Sequence, residues 1–598
     1  MILYAYYNAD LIDIAKGKNE LSTGFVDDCA FVAVGDTLED THTTLKQMME
    51  RTNGGLDWSY NHNSQFELSK LAVMDFPRPN TKTVSPPLTI TTHNQTNTNP
   101  ITTITNVQTY KYLGVIFDPK LTWKAHIAKT TAKAIRWNQQ LTRITKSTGG
   151  LSPNNTRLLF NTVAIPALTY AADVWYIPPF KMAYSQKSGG LVGVTKLLDS
   201  IQGNAARHIT GGMKGTAHDV LLAHANILPA DLLLRKVQHR AATRISSLPQ
   251  HHPLTQLANK AANRFVKTHR SPLHYLFFTT QIKPKDVETI NPTRRHPSYR
   301  PVMKTHIDEN KDKALISANA NHDSTKYKVY CDGSGLEGGT GAAAVLYKDN
   351  RITKKLKFHV GPATKHTVYE TEIIGILLAL HLLTSLSCKL LNTTLIGLDN
   401  QASIKATNNQ KKKPAQYLLD QVHAAAENLN RQQDRIQRKD DFKRAKRAGN
   451  RLSPKSRGIC DIHINWVPGH KDFEPNEKVD VLAKKAARGE SSAAKDLPPF
   501  LRKELPDSVS AMQQEYKAKV QRIWKRRWKR SPRYHRLASI DKSMPSKKWM
   551  KLVRPLMKKQ AAIIIQLRSG HIGLNKYLCT YNRESQFTTM SISKTGMT

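Results

Sequence analysis

The chain has 598 residues, and a single hydrophobic core rarely grows past about 250–300 residues, so several domains are expected. Lys and Arg number 90 against 46 Asp and Glu, a formal net charge of +44. That excess is hard to keep compact without a polyanion, and it points to nucleic acid, RNA or DNA, as partner. Five cysteines (Cys29, Cys331, Cys388, Cys460 and Cys579) are odd in number, scattered and never in a CxxC pair. This argues for reduced thiols in an intracellular compartment, nucleus or cytoplasm, and against both a disulfide framework and a zinc site.

No secretory signal is expected at the start, since Met1–Asp13 lacks a charged opening and a cleavage site. In the stretch TGFVDDCAFVAVG (Thr23–Gly35), apolar residues flank an Asp pair, as in two strands joined by a tight turn. Such a hairpin would present Asp27 and Asp28 together, a pair able to hold hard cations, although an ordinary turn between strands has the same pattern. An amphipathic helix is expected over Thr41–Gly54, followed by WSYNHNSQFELSKLAVMDF and YKYLGVIFDPKLTWKAHI. This succession resembles the C-terminal part of a reverse transcriptase palm from non-LTR, LINE-like retrotransposons, fungal ones in particular. The resemblance covers residues 1–125 and implies that Asp27 and Asp28 are the remnant of a polymerase site. A first catalytic Asp, which the family carries many tens of residues earlier, has no counterpart here: Asp10 and Asp13 stand too close. Without that carboxylate the metal pair of polymerisation is incomplete, and no reverse transcriptase activity is expected from this chain alone.

Thr81–Thr109, rich in Thr, Asn and Pro, reads as an extended loop. Residues 126–277 read as helices with apolar residues every three or four positions, similar to the thumb and connection of the same retroelements. Residues 278–322, with many Pro, Thr and Lys and no clear period, read as a linker.

From Lys326 four apolar elements each carry an acid at one edge. KYKVYCD is a strand ending on Asp332, where glycine lets the backbone turn away. GGTGAAAVLY and LKFHVG are the next two strands, the first with small residues where another element packs closely. Thr367–Leu391 is a helix, and Glu372, Gly375, Ile376 and Ala379 share its inward face. Glu370, about 200° away at 3.6 residues per turn, points elsewhere. The apolar run Ile373–Leu391 reads as a buried helix rather than a membrane span because of its polar residues. TTLIGLD ends a buried strand on Asp399, and ligands gather at such strand ends. IHINWVPGH is the last strand, and Asp480 lies where the last helix opens, where an acid would also simply complement the helix dipole.

These four contexts, CDGSG, ETEIIGILLAL, LDNQ and the GH…NE…D spacing, resemble the ribonuclease H family over residues 323–490. The resemblance implies a mixed five-stranded sheet with flanking helices, making the whole a multidomain chain of α/β and α parts. It also implies hydrolysis of the RNA strand of an RNA–DNA hybrid, with Asp332, Glu372, Asp399 and Asp480 as catalytic metal ligands and His470 assisting product release or the leaving group. Gly333, Ser334, Asn400, Gln401 and Asn476 would contact substrate. Four carboxylates within a few ångströms repel unless cations share them, so two Mg²⁺ or Mn²⁺ ions are expected. No small-molecule cofactor and no membrane partner are expected; oligomeric state is not legible. The excess length between Asp399 and His470 reads as a charged helical protrusion over Arg431–Arg457, either a phosphate contact or a solvated helix.

Residues 491–598 read as a basic helical tail. Leu501–Gln560 alone holds 19 Lys and Arg against four acids. Trp524 and Trp528, four apart beside Arg526 and Arg527, would share one helix face for base stacking and phosphate contact, or else pack against the body. Only Cys579 follows His571, so no zinc site is expected there. The different-class alternative is a relic that only binds nucleic acid; an active polymerase is the third.

Overall fold

The computed structural model describes residues 2–78, 85–91, 101–146, 149–181, 188–264, 266, 271–292, 295–296, 298–390, 393–409, 413–448, 460–469 and 471–572. The chain forms two compact units. One holds residues 1–175, 192–227 and 539–598; the other holds 176–191 and 228–538. The helical stretch 126–277 and the basic tail 491–598 are therefore each shared between the two units, and 278–322 belongs with the second.

In the first unit, strands Glu20–Phe25 and Asp28–Ala33 pair antiparallel, with Phe25 opposite Asp28. The turn residues are thus Val26 and Asp27 rather than the two aspartates, and Val26 sits at φ 58°. Helix Leu38–Glu50 starts on a Thr37–Asp40 capping box, which satisfies amides that the first helical turn leaves open. The Thr81–Thr109 segment is not all loop: Leu88–Thr91 and Ile101–Ile104 pair antiparallel. Leu88, Ile90 and Ile104 alternate into a core with Met49 and Val73. Tyr110–Tyr112 and Val115–Phe117 make a third hairpin, turning through Leu113 and Gly114 at φ 47° and 82°. Among the described residues these hairpins remain separate two-stranded sheets, and no continuous palm-like sheet joins them. Helices Lys124–Ile144 and Val192–Thr210 meet where Asn138 Nδ2 donates to Ile201 O at 2.8 Å. Helix Lys558–Ser569 joins them through Lys558 Nζ to Ile209 O, 3.0 Å.

The second unit is built on one mixed sheet. We label its elements in chain order: α1 Ala230–Ser246, β1 Met303–His306, α2 Lys311–Ser324, β2 Tyr327–Leu336, β3 Gly339–Lys348, β4 Arg351–Pro362, α3 Val368–Thr384, β5 Thr394–Leu398, α4 Gln401–Asn408, α5 Gln416–Arg447, β6 Ile462–Trp466, α6 Glu474–Ala487 and α7 Val509–Lys529. The spatial order is β1-β6-β5-β2-β3-β4. β2, β3 and β4 are antiparallel neighbours; β5 lies parallel to β2, β6 parallel to β5 and β1 parallel to β6. The sheet therefore has six strands, not five. The sixth, together with α2, comes from the segment expected to be a linker. β1 pairs from Met303↔Ile462 to His306↔Asn465, about 160 residues away in sequence, so no local pattern announces it.

The pleat sorts the strands by period two. Val329 and Cys331 join a core with α3 and the apolar face of α5, whereas Tyr330 faces the opposite side with Val479 and Ala483 of α6. The small residues of β3 serve close packing: a Cβ on Gly341 would collide with the Ala486–Ala487 backbone. α3 stops at Thr384 and is buried from Glu370 to Leu383 except at His381, and no helix among the described residues is long and apolar enough to cross a membrane. α5 is not only a protrusion. Its residues Leu418, Leu419, Val422, Ala426 and Leu429 are core, and Gln433 and Gln437 are still buried. Residues 449–457 of the expected protrusion lie outside the described residues.

Candidate active site

Asp332 lies in the middle of β2, since the strand runs on through Gly333 and Ser334 to Leu336. The sharp turn expected after Asp332 is absent, and glycine is there for another reason. A Cβ on Gly333 would lie 2.5 Å from the Glu372 amide nitrogen and would also strike Thr371. The first turn of α3 thus rests on the β2 backbone. Gly375 repeats the device one turn on, where a Cβ would stand 3.3 Å from Cys331 Cβ and 3.4 Å from the Asp332 amide.

β5 accompanies β2 only as far as Tyr330↔Gly397. Continuing that register by two residues brings Asp399, just past the end of β5, level with Asp332. Glu372 arrives from the helix above. One oxygen of each of Asp332, Glu372 and Asp399 lies within 4.8 Å of the others. Glu370 is excluded from this group by its own task, since its Oε2 accepts from the Thr367 amide and hydroxyl at 2.7 and 2.9 Å to close the capping box of α3.

The site is dry. Asp332 is 6 % and Glu372 4 % exposed. Burial, then the charges of Asp399 and Asp480, push the Asp332 carboxyl up to about 8. Burial, Asp332 and Asp399 likewise raise Glu372 well above the usual carboxylate range, partly offset by the Asn400 side chain and the Gly333 amide. Asn400 Nδ2 donates to Glu372 Oε1 at 3.5 Å, but Glu372 Oε2 is buried with no hydrogen-bond partner. Trp466 Nε1 donates to Asp399 O at 3.0 Å, tying β6 to the strand end. The buried Cys331 thiol is pushed up by the same surroundings and is no nucleophile.

Asp480 stands beside this trio without joining it. The last helix starts at Glu474, with Glu474 and Glu477 in its first turn. Asp480 is therefore well inside α6, and the helix-dipole explanation passes to the two glutamates. Its Oδ2 accepts from Lys484 Nζ at 2.6 Å, and its charge still reaches Asp332. Lys484, four residues on and on the same face, was readable in the sequence and missed. So was Gly469, where a Cβ would lie 2.7 Å from Asp399 Oδ2.

The remaining expected residues divide. Asn400 caps α4 by accepting from the Ser403 amide at 3.1 Å, and Gln401 opens that helix. Ser334 lies opposite Gly341. Asn476 is 5 % exposed, and its Oδ1 is buried with no hydrogen-bond partner. His470 lies outside the described residues. Asp27 and Asp28 are exposed at their hairpin, and the group of three acids above does not include them. Trp524 and Trp528 are 5 % and 3 % exposed, so they are not a stacking face. α7 packs on α1, and Arg527 clamps Asp231 at 2.8 and 2.6 Å. Arg526 remains exposed. Cys29, Cys331, Cys388 and Cys460 are free thiols; Cys579 lies outside the described residues.

The donor set is all oxygen: three converging carboxylates, one with an unpartnered buried atom. This suits a hard divalent cation such as Mg²⁺ or Mn²⁺ better than zinc. Among families of known proteins, RNase H matches residues 324–488. That segment of the chain is an RNase H domain. No curated protein matches the chain. Among solved structures, it is similar to the N-terminal RNase H domain of a Mycobacterium tuberculosis protein, fused to maltose binding protein, at 18 % identity and TM-score 0.19, covering 28 % of this chain and 95 % of that one. It is also similar to RNase H1 of the halophilic archaeon Halobacterium salinarum at 17 % identity and TM-score 0.19, covering 27 % and 98 %.

Proposed function

We propose that the RNase H domain at residues 324–488 is a metal-dependent ribonuclease of type 1 that hydrolyses the RNA strand of RNA–DNA hybrids, in an intracellular polypeptide derived from a LINE-like retroelement. The observation that carries the reading is the convergence of Asp332, Glu372 and Asp399, from two strands and a helix, within 4.8 Å. These three would hold divalent cations, two of them if Asp480 turns from Lys484 toward the trio. When bound, such ions supply a nucleophilic water at neutral pH and charge stabilisation for in-line phosphodiester cleavage. The chain's own part is positional. The close approach of Gly333 to the Glu372 amide fixes the backbones that carry Asp332 and Glu372 relative to each other. Asn400 holds the second oxygen direction of Glu372. Burial excludes bulk water, which strengthens every electrostatic interaction inside. His470 would assist product departure.

The retroelement reading is supported by the order of the FVDD hairpin, the YLGV hairpin and a helical stretch ahead of the domain. Reverse transcriptase activity is not part of this proposal, and template-dependent synthesis by this chain in a primer-extension assay would add it. The pairing of Asp480 with Lys484 favours one other reading, an inactive relic that binds hybrid without cutting it. A labelled hybrid incubated with the full chain and Mg²⁺ separates the two. Cleavage that Asp332→Asn and Asp480→Asn abolish, with hybrid binding retained, supports the enzyme; undiminished cleavage in both variants sinks the site.

A further inference from the structure

The tryptophans of α7 are buried, which leaves unexplained why the helix carries so much charge and what the helix beneath it does. α1 and α7 run antiparallel. Arg527 clamps Asp231 near one end, the His239 and Tyr516 rings stack at 3.8 Å in the middle, and Gln513 Nε2 donates to Thr243 Oγ1 at 3.3 Å near the other. This register sets Lys236 and Arg240 of α1 beside Lys517 of α7, and His239 beside Lys519. Lys236, Arg240, Lys517 and Lys519 are all exposed.

Like charges at this spacing oppose the packing of the two helices. Partial burial of its ammonium and the neighbouring Lys517 and Arg240 hold Lys236 below the ordinary lysine range. Burial and Lys519 bring the His239 imidazole down to about 4. Neighbouring acids do not relieve the repulsion, because Asp231 is taken by Arg527 and Glu515 by Arg522. A protein that merely needed the two helices together would place an acid in this seam. Lys236 and Arg240 are instead one helical turn apart, about 6 Å at 1.5 Å per residue, in a row that a chain of phosphates can bridge.

We propose that Lys236, Arg240 and Lys517, with Lys519 at their flank, form a ridge that binds the sugar–phosphate backbone of nucleic acid, outside the RNase H domain and without using the tryptophans. The ridge sits in the same compact unit as that domain. The first residue of α7, Val509, is bonded through its amide to the buried Glu288 at 2.8 Å. The Ser508 amide just before it donates to Lys365 O, between β4 and α3, at 2.8 Å, so the ridge is anchored to the RNase H domain rather than tethered. Recognition is by charge, hence indifferent to base sequence and steeply salt-dependent. The inference rests on the proposed function only for the choice of probe.

The test uses the full chain with Asp332→Asn as a non-cutting background and a labelled RNA–DNA hybrid read by anisotropy across a salt series. The triple variant Lys236→Gln, Arg240→Gln, Lys517→Gln weakens binding about ten-fold or more and lowers the log K against log salt slope by about 2 to 3, near 0.9 per lost phosphate contact. The charge-keeping variant Lys236→Arg, Arg240→Lys, Lys517→Arg restores most of both, which separates charge from folding. An unchanged slope in the triple variant overturns the ridge. So does hybrid affinity that survives while binding to anionic phospholipid vesicles falls. Failure of hybrid cleavage by the chain with Asp332 intact would sink the enzymatic reading and leave this result standing.

Discussion

Two groups of carboxylates among the described residues differ in what surrounds them. Asp27 and Asp28 sit at the open end of a two-stranded hairpin, both exposed. Asp332, Glu372 and Asp399 come from three separate elements of a six-stranded sheet and its helix, and the first two are almost wholly buried. Adjacent acids on one turn are cheap to make and stay hydrated. Acids from three elements in a dry site cost folding energy through desolvation and repulsion, so their persistence needs a cause such as a bound cation. Convergence of independent elements, rather than motif strength, marks the functional centre here.

The comparison is broken most directly by neutralising each set in turn. Asp332→Asn should lower hybrid cleavage by about a thousand-fold or more, the scale of losing a group that acts on the transition state, whereas Asp27→Asn with Asp28→Asn should leave it within about two-fold. A gel assay on a labelled hybrid checks both. Glu372→Gln should be nearly as severe as the first. Glu370→Gln should retain cleavage while costing about 1 kcal/mol of stability through the lost cap; loss of cleavage in Glu370→Gln alone would reverse the assignment.

The next effect is on stability. Gly333→Ala forces a methyl onto the Glu372 amide and should destabilise the second unit by about 1–3 kcal/mol, read as a lower Tm. Val26→Gly at the exposed hairpin should instead stabilise the first unit by about 1 kcal/mol, because a β-branched residue at φ 58° is disfavoured.

The smallest expected effect is a pH dependence. Asp332 has its folded-state pKa raised from the ordinary 3.8 to about 8. Without a cation its contribution is therefore complete below about pH 4 and is lost as pH rises through 8. Metal-free Tm should fall across that window, more than in Asp332→Asn. Mg²⁺ should restore more at pH 8 than at pH 6, because binding must displace the proton. Calorimetry in two buffers of different ionisation enthalpy would detect that proton. A pH-independent Tm would show that the acids do not share the dry site.

Much of the sheet and the trio of acids could be read from sequence because each acid carries a local signature: the small residues after Asp332, the Thr367 cap and Gly375 around Glu372, and the apolar run before Asp399. What escaped was whatever depends on a distant partner. β1 is four residues, Met303–His306, that become a strand only against β6. α2 buries Ala314 and Ala318, too little to print an apolar stripe. Leu88 and Ile90 were lost among threonines. The burial of Trp524 and Trp528 was not legible either, since a Trp–Arg face reads alike whether it meets bases or the body of the protein.

Glu288 is wholly buried in what resembled a linker, and its two oxygens accept from the Ala415 and Val509 amides at 2.6 and 2.8 Å. Together with β1 it makes the RNase H domain depend on chain that lies outside the family match. Excising residues 324–488 would strip the partner from β6, leaving a row of unpaired backbone groups as a template for foreign strands. It would also remove the acceptor that satisfies the amide of Ala415 just ahead of α5. Such a fragment would self-associate rather than fold cleanly. An expressible piece begins before Glu288 and runs beyond Val509.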